Sequence, residues 1–364
     1  MRNSQPVQRK KGSTSERNVR AQARARRIRQ KRRKKLIRTV LLAVLVLAAV
    51  SGAVFLGFTV KEIIFKDPVQ AYSASKELSS TQNNSIQGKS SLFASDLCVV
   101  GSDTYLDSVS LNEDQEGMLL DLKNKEVLYS KGAYTKVYPA SITKIMTALL
   151  AFKYGNMEET VTITRENITL EEGSQVIGFL EGDSVTMDEL VHGLLVYSGN
   201  DAASAIATHI GGSTERFVEM MNSYAAELGC TGTHFTNPHG LQDENHYTTP
   251  YDIYLMLKEA LNYPEFTEIT QLGNYTISYK RSWGEEVHTA LIATDHYLTG
   301  EATPPKGITI LGGKTGTTSD AGNCLALLCQ NAYGEPYMSI VMGADTKELL
   351  YQQMSSLLEN ANIE

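Results

Sequence analysis

An α+β fold is predicted for this chain: an antiparallel sheet built from both ends of a globular region and flanked by helices, with a helical lobe inserted, and one transmembrane helix in front. Three features of the 364-residue sequence predict it. Strand-like segments stand at the start and the end of the globular region, helical periodicity fills its middle, and a long uncharged stretch precedes it. At the start, Met118-Leu119-Leu120 and Val127-Leu128-Tyr129 flank the polar Lys123-Asn124-Lys125, the pattern of a hairpin. At the end, Cys324 to Cys329 and Met338 to Met342 enclose a Gly334-Glu335-Pro336 turn, and a closing helix is expected from Lys347 to Leu358. Between them, Ser141 to about Asn262 reads as helices. Thr186 and Glu189 form a capping box ahead of Leu190, Leu194 and Leu195, and Gly211-Gly212 ends the next helix.

Charge divides the chain before any motif is considered. Residues 1–38 hold sixteen of the 34 basic residues and one of the 41 acidic ones, which leaves 18 against 40 for the remainder. Thr39 to Val60 then runs twenty-two residues without a charge, long enough to span a bilayer as a helix. The basic cluster Lys31 to Arg38 abuts it, so the N-terminus is expected in the cytoplasm and everything after Lys61 outside. A basic arm could also serve as a nucleic-acid tail, but its junction with an apolar segment favours the topological role, and no nucleic-acid partner is expected. A cleaved signal peptide, with Val69-Gln70-Ala71 as its cleavage site, is the rival to an uncleaved anchor; its apolar region would be shorter. The Ser-, Gln- and Asn-rich stretch that follows reads as a flexible spacer. The expected organisation is therefore a cytoplasmic arm (1–38), a membrane helix (39–60), a spacer (61–96) and a globular domain (97–364) of a single-pass protein of the cell membrane.

Three short motifs carry chemistry. Ser141-Ile142-Thr143-Lys144 follows Pro139-Ala140 at the expected start of a helix whose Ile145, Met146, Leu149 and Leu150 mark it as buried. Ser141 and Lys144 share a face, and a buried lysine beside a second cation would lose its proton readily and could accept that of a serine hydroxyl. Tyr197-Ser198-Gly199-Asn200 lies between two helices and, alone, has the form of a capped helix junction. Gly312-Gly313-Lys314-Thr315-Gly316-Thr317-Thr318 continues the β-rich Ile308 to Leu311. Its glycines would let a peptide backbone approach the strand, while Lys314 and Thr315 offer a cation and a hydroxyl to a carboxylate. A phosphate-binding loop is excluded, since the Walker spacing is absent and the segment reads as a strand.

Ser-x-x-Lys, Ser-x-Asn and Lys-Thr-Gly occur in the order shared by penicillin-binding proteins and class A β-lactamases. With Phe235-Thr236-Asn237-Pro238-His239-Gly240-Leu241 and Ala321-Gly322, the stretch from Leu97 to Asn360 resembles the low-molecular-mass D-alanyl-D-alanine carboxypeptidases, the peptidase S11 family. The resemblance implies a β-lactamase/DD-peptidase-like fold and a peptidoglycan stem peptide ending in D-Ala-D-Ala as substrate. It further implies β-lactams as covalent inhibitors and no metal or organic cofactor. It makes Ser141 the nucleophile, Lys144 the general base and Ser198 a proton relay. Asn200 would bind the peptide, and Lys314 and Thr315 its terminal carboxylate. The N–H groups of Ser141 and Thr317, beside Gly316, would form the oxyanion hole.

Other readings share part of this evidence. A class A-like β-lactamase runs the same acylation, but its Glu-x-x-Leu-Asn segment is matched only poorly by Lys258-Glu259-Ala260-Leu261-Asn262, and Ser-Gly-Asn stands in place of Ser-Asp-Asn. A penicillin sensor would need a cytoplasmic signalling domain, and an inactive wall-binding relative would be expected to lack Ser141 or Lys144. His234, His239 and His246 lie close together without a His-Glu-x-x-His helix, so loop packing is expected of them rather than zinc. Cys98, Cys230, Cys324 and Cys329 are expected to be buried; Cys324 and Cys329, on opposite strand faces, should not pair with each other, and the sequence does not say whether Cys98 pairs with another cysteine.

Overall fold

The computed structural model describes residues 96–362. The basic arm, the 39–60 segment and all but the last residue of the spacer lie outside the described residues. No described helix is long and apolar enough to cross a membrane. The main sheet joins the two ends of the globular region as the order of strand signals predicts. Its strands are β1 (Glu116–Asp121), β2 (Glu126–Lys131), β7 (Thr309–Thr318), β8 (Gly322–Gln330) and β9 (Pro336–Ala344), in the antiparallel order β2-β1-β9-β8-β7. Asp121 turns the first hairpin, accepting the backbone N–H groups of Lys123 at 2.9 Å and Asn124 at 2.8 Å while Lys125 takes a positive φ of 61°. Met118 of β1 then pairs with Ile340 of β9, so the first and last strands are neighbours in mid-sheet.

Alternation along these strands divides the core into two layers. Met118, Leu120, Cys324, Ala326 and Ile340 face the helical lobe, whereas Leu119, Leu325, Leu327, Cys329 and Val341 face α8 (Lys347–Glu359). Cys324 and Cys329 thus lie on opposite faces, and all four cysteines are buried free thiols. α8 closes the outer face with Leu350, Met354, Leu357 and Leu358, each side chain contributing about 1.5–3 kcal/mol by leaving water.

The helical lobe contains α1 (Lys144–Tyr154), α2 (Met187–His192), α3 (Asn200–Gly211), α4 (Thr214–Glu227), α5 (Pro250–Ala260) and α6 (Pro264–Thr270). Its capping follows the sequence signals. Thr186 Oγ1 accepts the Glu189 N–H at 3.2 Å, and Gly212 ends α3 at φ 77°. α1 is the central helix, buried at every position from Lys144 to Ala151. A feature not anticipated is a second sheet, β3 (Thr160–Thr162), β4 (Ser184–Thr186), β5 (Asn274–Lys280) and β6 (Glu286–Ile292), in the order β3-β4-β5-β6. β3 and β4 have three residues each, too few for alternation to register. After β6 the chain enters α7 (His296–Thr299), which returns it to β7 beside the helical lobe.

Candidate active site

Ser141 lies on a 3₁₀ turn, Ala140–Thr143, and not in the first turn of an α-helix as the sequence suggested. Ala140 opens the turn at φ 46°, with its carbonyl oxygen so close to Gly240 that a Cβ there would lie 1.8 Å from it. In a 3₁₀ turn residues three apart eclipse, which brings Lys144 Nζ to 2.8 Å from Ser141 Oγ. Nζ also donates to Asn200 Oδ1 at 2.6 Å and to the His239 carbonyl at 2.8 Å. Burial, then the charge of Lys314, push the Lys144 amine well below the ordinary lysine range, against an opposing pull from Asp201. A neutral amine has two hydrogens and one lone pair. Asn200 and His239 take the hydrogens, and the lone pair is left for the hydroxyl proton of Ser141.

The second motif reaches the same point from the opposite wall. A π-helical turn, Gly193–Tyr197, ends with Ser198 in the left-handed conformation at φ 67°, a strained setting for a residue with a Cβ. Gly199 takes the cap position of α3, so Asn200 spends its side-chain carbonyl on Lys144 rather than on capping. Asp201, next along, receives the N–H groups of Ile177 and Gly178 at 3.0 Å each and pins the loop that overhangs the site. Burial raises its carboxyl above the usual range, and the backbone donors act against that shift.

The edge strand β7 supplies the third wall. Thr315, Gly316 and Thr317 line a cavity of about 270 Å³ together with Ser141, Ser198 and Asn200. Lys314 is 2% exposed and is not part of that lining; its ammonium donates to the Thr315 carbonyl at 3.1 Å. Burial lowers it to about 7 while Asp295 pulls it upward. The glycines of this motif were expected to admit a peptide, and the structure assigns them a different neighbour. A Cβ on Gly316 would lie 2.9 Å from Pro139 O and 3.0 Å from Ser141 N; one on Gly312 would strike Thr270, and one on Gly313 the Ala326 carbonyl. They let β7 approach the protein's own backbone, Gly316 that of the Ser141 turn.

Several lining groups carried no motif. Thr294, from the connection between β6 and α7, His296, the first residue of α7, and Lys347 and Tyr351, from α8, line the cavity, as do Ser174 and Gln175 on the overhanging loop. Thr294 Oγ1 hydrogen-bonds Thr315 Oγ1 at 2.5 Å. His239 and Gly240 also line it; the Phe235 to Leu241 segment pointed to them, though without saying that the His239 carbonyl would hold Lys144.

His246 fastens the nucleophile's turn from beneath. Its Nδ1 accepts the Thr236 N–H at 3.0 Å, so Nε2 carries the hydrogen and donates to Thr143 Oγ1 at 2.7 Å. His239 Nδ1 accepts the Leu241 N–H at 3.2 Å, and His234 Nδ1 meets the Asn245 carbonyl at 2.6 Å. Burial lowers His246 to about 4, Asp243 opposing; burial, then Lys144 and His246, lower His239 to about 3. Both rings are neutral in the folded state and take up a proton near pH 6.5 when the chain unfolds. The folded state therefore binds fewer protons between 6.5 and 4, and its stability, complete above 6.5, falls as pH drops through that window. Denaturant titrations at pH 7 and pH 4.5 are expected to differ by about 5 kcal/mol, roughly 2.5 from each ring, with His246→Gln removing about half of the difference.

A five-stranded antiparallel sheet and a helical lobe meeting at a serine–lysine pair define the DD-peptidase-like α+β class. The model of the D-alanyl-D-alanine carboxypeptidase family, peptidase S11, matches residues 110–346, and the chain belongs to that family. It is 34% identical over 255 residues to the D-alanyl-D-alanine carboxypeptidase DacF of Bacillus subtilis, covering 69% of this chain and 62% of that protein. Among solved structures, a D-alanyl-D-alanine carboxypeptidase from Mycobacterium tuberculosis superposes with a TM-score of 0.61 at 27% identity, covering 69% of this chain and 91% of the other. The Streptomyces K15 DD-transpeptidase gives a TM-score of 0.62 at 25% identity, covering 67% and 95%. The chain spans less than two thirds of the length of the curated relatives it matches first.

Proposed function

We propose that this chain is a serine D-alanyl-D-alanine carboxypeptidase. It would remove the terminal D-alanine from peptidoglycan stem peptides through an acyl-enzyme and be acylated by β-lactams, held outside the cytoplasmic membrane by the 39–60 segment. The observation that carries the reading is Lys144 Nζ, 2.8 Å from Ser141 Oγ, with its two other contacts on acceptors only. Ser141 Oγ attacks the carbonyl carbon of the penultimate D-alanine as its proton passes to Lys144. The developing oxyanion lies between the N–H groups of Ser141 and Thr317, a placement favoured by the close approach of Gly316 to Ser141 N. Collapse breaks the peptide bond; Ser198 gives its hydroxyl proton to the departing amine and takes in its place the proton that Lys144 received from Ser141, so D-alanine leaves and Lys144 is neutral again. Water then attacks the ester, losing a proton to Lys144, and restores the Ser141 hydroxyl. Asn200 and the backbone of β7 hold the peptide; the Thr315 hydroxyl and the Lys314 charge hold its carboxylate.

Against a class A-like β-lactamase stands the cavity lining, which among the described residues contains no carboxylate to activate water on a penicilloyl ester. Glu259, the closest candidate, instead bonds Tyr224 Oη at 2.8 Å and Asn262 Nδ2 at 2.9 Å. The test incubates the full chain with a pentapeptide ending in D-Ala-D-Ala and with a fluorescent penicillin, beside Ser141→Ala. The wild type is expected to release D-alanine and retain the label. The variant is expected to lose both by at least about a thousandfold. Rapid penicillin hydrolysis without D-alanine release would select the β-lactamase.

A further inference from the structure

A hydroxyl that relays protons must stay free to exchange them, so the place of Ser198 has to be set by its backbone. That backbone is strained, with φ 67° at a residue that is 4% exposed on the cavity wall. From inside the π-helical turn, the Gly193 carbonyl accepts the N–H of Ser198 and, at 3.0 Å, that of Gly199. On either side of this pair stand the Tyr197 carbonyl and the Asn200 N–H. Both are taken by one residue of the overhanging loop, Gln175. Its side-chain amide donates to the Tyr197 carbonyl, and its main-chain carbonyl accepts the Asn200 N–H at 2.8 Å.

Gln175 can act as a clamp because the residues that follow it are themselves fixed. Ile177 fills the space over two glycines: a Cβ on Gly193 would lie 2.3 Å from Ile177 Cδ1, and one on Gly199 2.8 Å from Ile177 Cγ1. The Asp201 carboxylate that holds the N–H groups of Ile177 and Gly178 also accepts that of Ala202 at 3.0 Å, which ties the loop to the first turn of α3. Gln175 itself is exposed and lines the cavity, so it adds little to the core. Its amide acts on the course of the chain around Ser198 rather than on packing.

We propose that Gln175 is a positioning residue for the proton relay: by gripping the chain on both sides of Ser198-Gly199, it holds the Ser198 hydroxyl where it can pass a proton between Lys144 and the departing amine. The proposal deepens the carboxypeptidase reading and rests on it. The main-chain half of the clamp survives any substitution, so the side-chain amide is the half that can be tested. One exposed hydrogen bond to a neutral carbonyl corresponds to about a five- to tenfold effect. That effect should fall on a single step. A peptide bond breaks only when its amine is protonated, whereas a thioester releases a thiolate that needs no proton, and both demand the same attack by Ser141.

The full chain is assayed for kcat/KM on a pentapeptide ending in D-Ala-D-Ala and on its analogue with a thioester in place of the last peptide bond. Gln175→Ala, and Gln175→Met, which keeps the stem without the donor, are expected to lose about five- to tenfold on the peptide and less than about twofold on the thioester. Ser198→Ala should show the same selectivity on a larger scale. Adding Gln175→Ala to it should cost less than about a further twofold on the peptide, because a residue that acts through Ser198 then has nothing left to position. An equal loss on both substrates, a full additional loss in the double variant, or a wild-type peptide rate in Gln175→Met overturns the proposal. A wild type that cleaves neither substrate would sink the carboxypeptidase reading, and hydrogen exchange then decides the clamp. The Gly199 amide is expected to exchange at least about threefold faster in Gln175→Ala, and an unchanged rate overturns the proposal.

Discussion

Lys144→Met is expected to lower penicillin acylation by about 10²–10⁴-fold while leaving the fold intact. Methionine retains most of the alkyl volume among the α1 neighbours and removes only the amine, which is the group that receives the Ser141 proton. The loss is a loss of base catalysis, and the pH profile should show it. In the wild type, the rate should rise with pH as Lys144, already well below its usual range, loses its proton, and fall above about 7 as Lys314 loses its own. The methionine variant should keep the alkaline limb and lose the acid one. Stopped-flow labelling across the pH range checks both limbs; acylation within tenfold of wild type would remove Lys144 from the role of base.

Gly240→Ala is expected to be the most damaging substitution of a single small residue near the site. Gly240 has φ 87°, and a Cβ there would lie 1.8 Å from the Ala140 carbonyl oxygen and 2.9 Å from Thr143 Oγ1. The first obstacle is backbone, so no rotamer relieves it. Overpacking and the left-handed conformation together imply a destabilisation of about 3 kcal/mol or more. The carbonyl that must move belongs to the residue before the nucleophile, so acylation should fall more than tenfold even in the fraction that folds. Gly334→Ala is the control: φ is 80°, but nothing lies within 4 Å of its Cβ, and about 1 kcal/mol of conformational strain is all that is expected. Thermal unfolding of the two variants should differ accordingly, and equal melting temperatures would show that the Ala140 contact yields at no cost.

What the sequence revealed and what it hid divide along a physical line. β1, β2, β8 and β9 were readable because alternation and turn residues are local, and the capping of α2 and α3 was readable for the same reason. Spacing within short motifs singled out Ser141, Lys144, Ser198, Asn200 and Lys314, of which the structure joins Ser141, Lys144 and Asn200 by hydrogen bonds and sets Ser198 beside them on the cavity wall. The 3₁₀ turn at Ala140 was not legible, because its close neighbour, Gly240, lies a hundred residues further on in the sequence. Nor was the purpose of Gly312, Gly313 and Gly316, since a missing side chain does not say which neighbour needs the room. Thr294, Asp295 and Tyr351 form their constellation only when α7 meets α8, and nothing in either segment announces the other.

The pairing of Met118 with Ile340 has a consequence for how the molecule is made. Synthesis delivers the opening hairpin more than two hundred residues before the strand that flanks it, so a nascent chain carries the serine long before it has a platform to work on. The closing segment should thus act as a late checkpoint: a polypeptide halted after Gln330 would hold all three motifs and still have no assembled cleft.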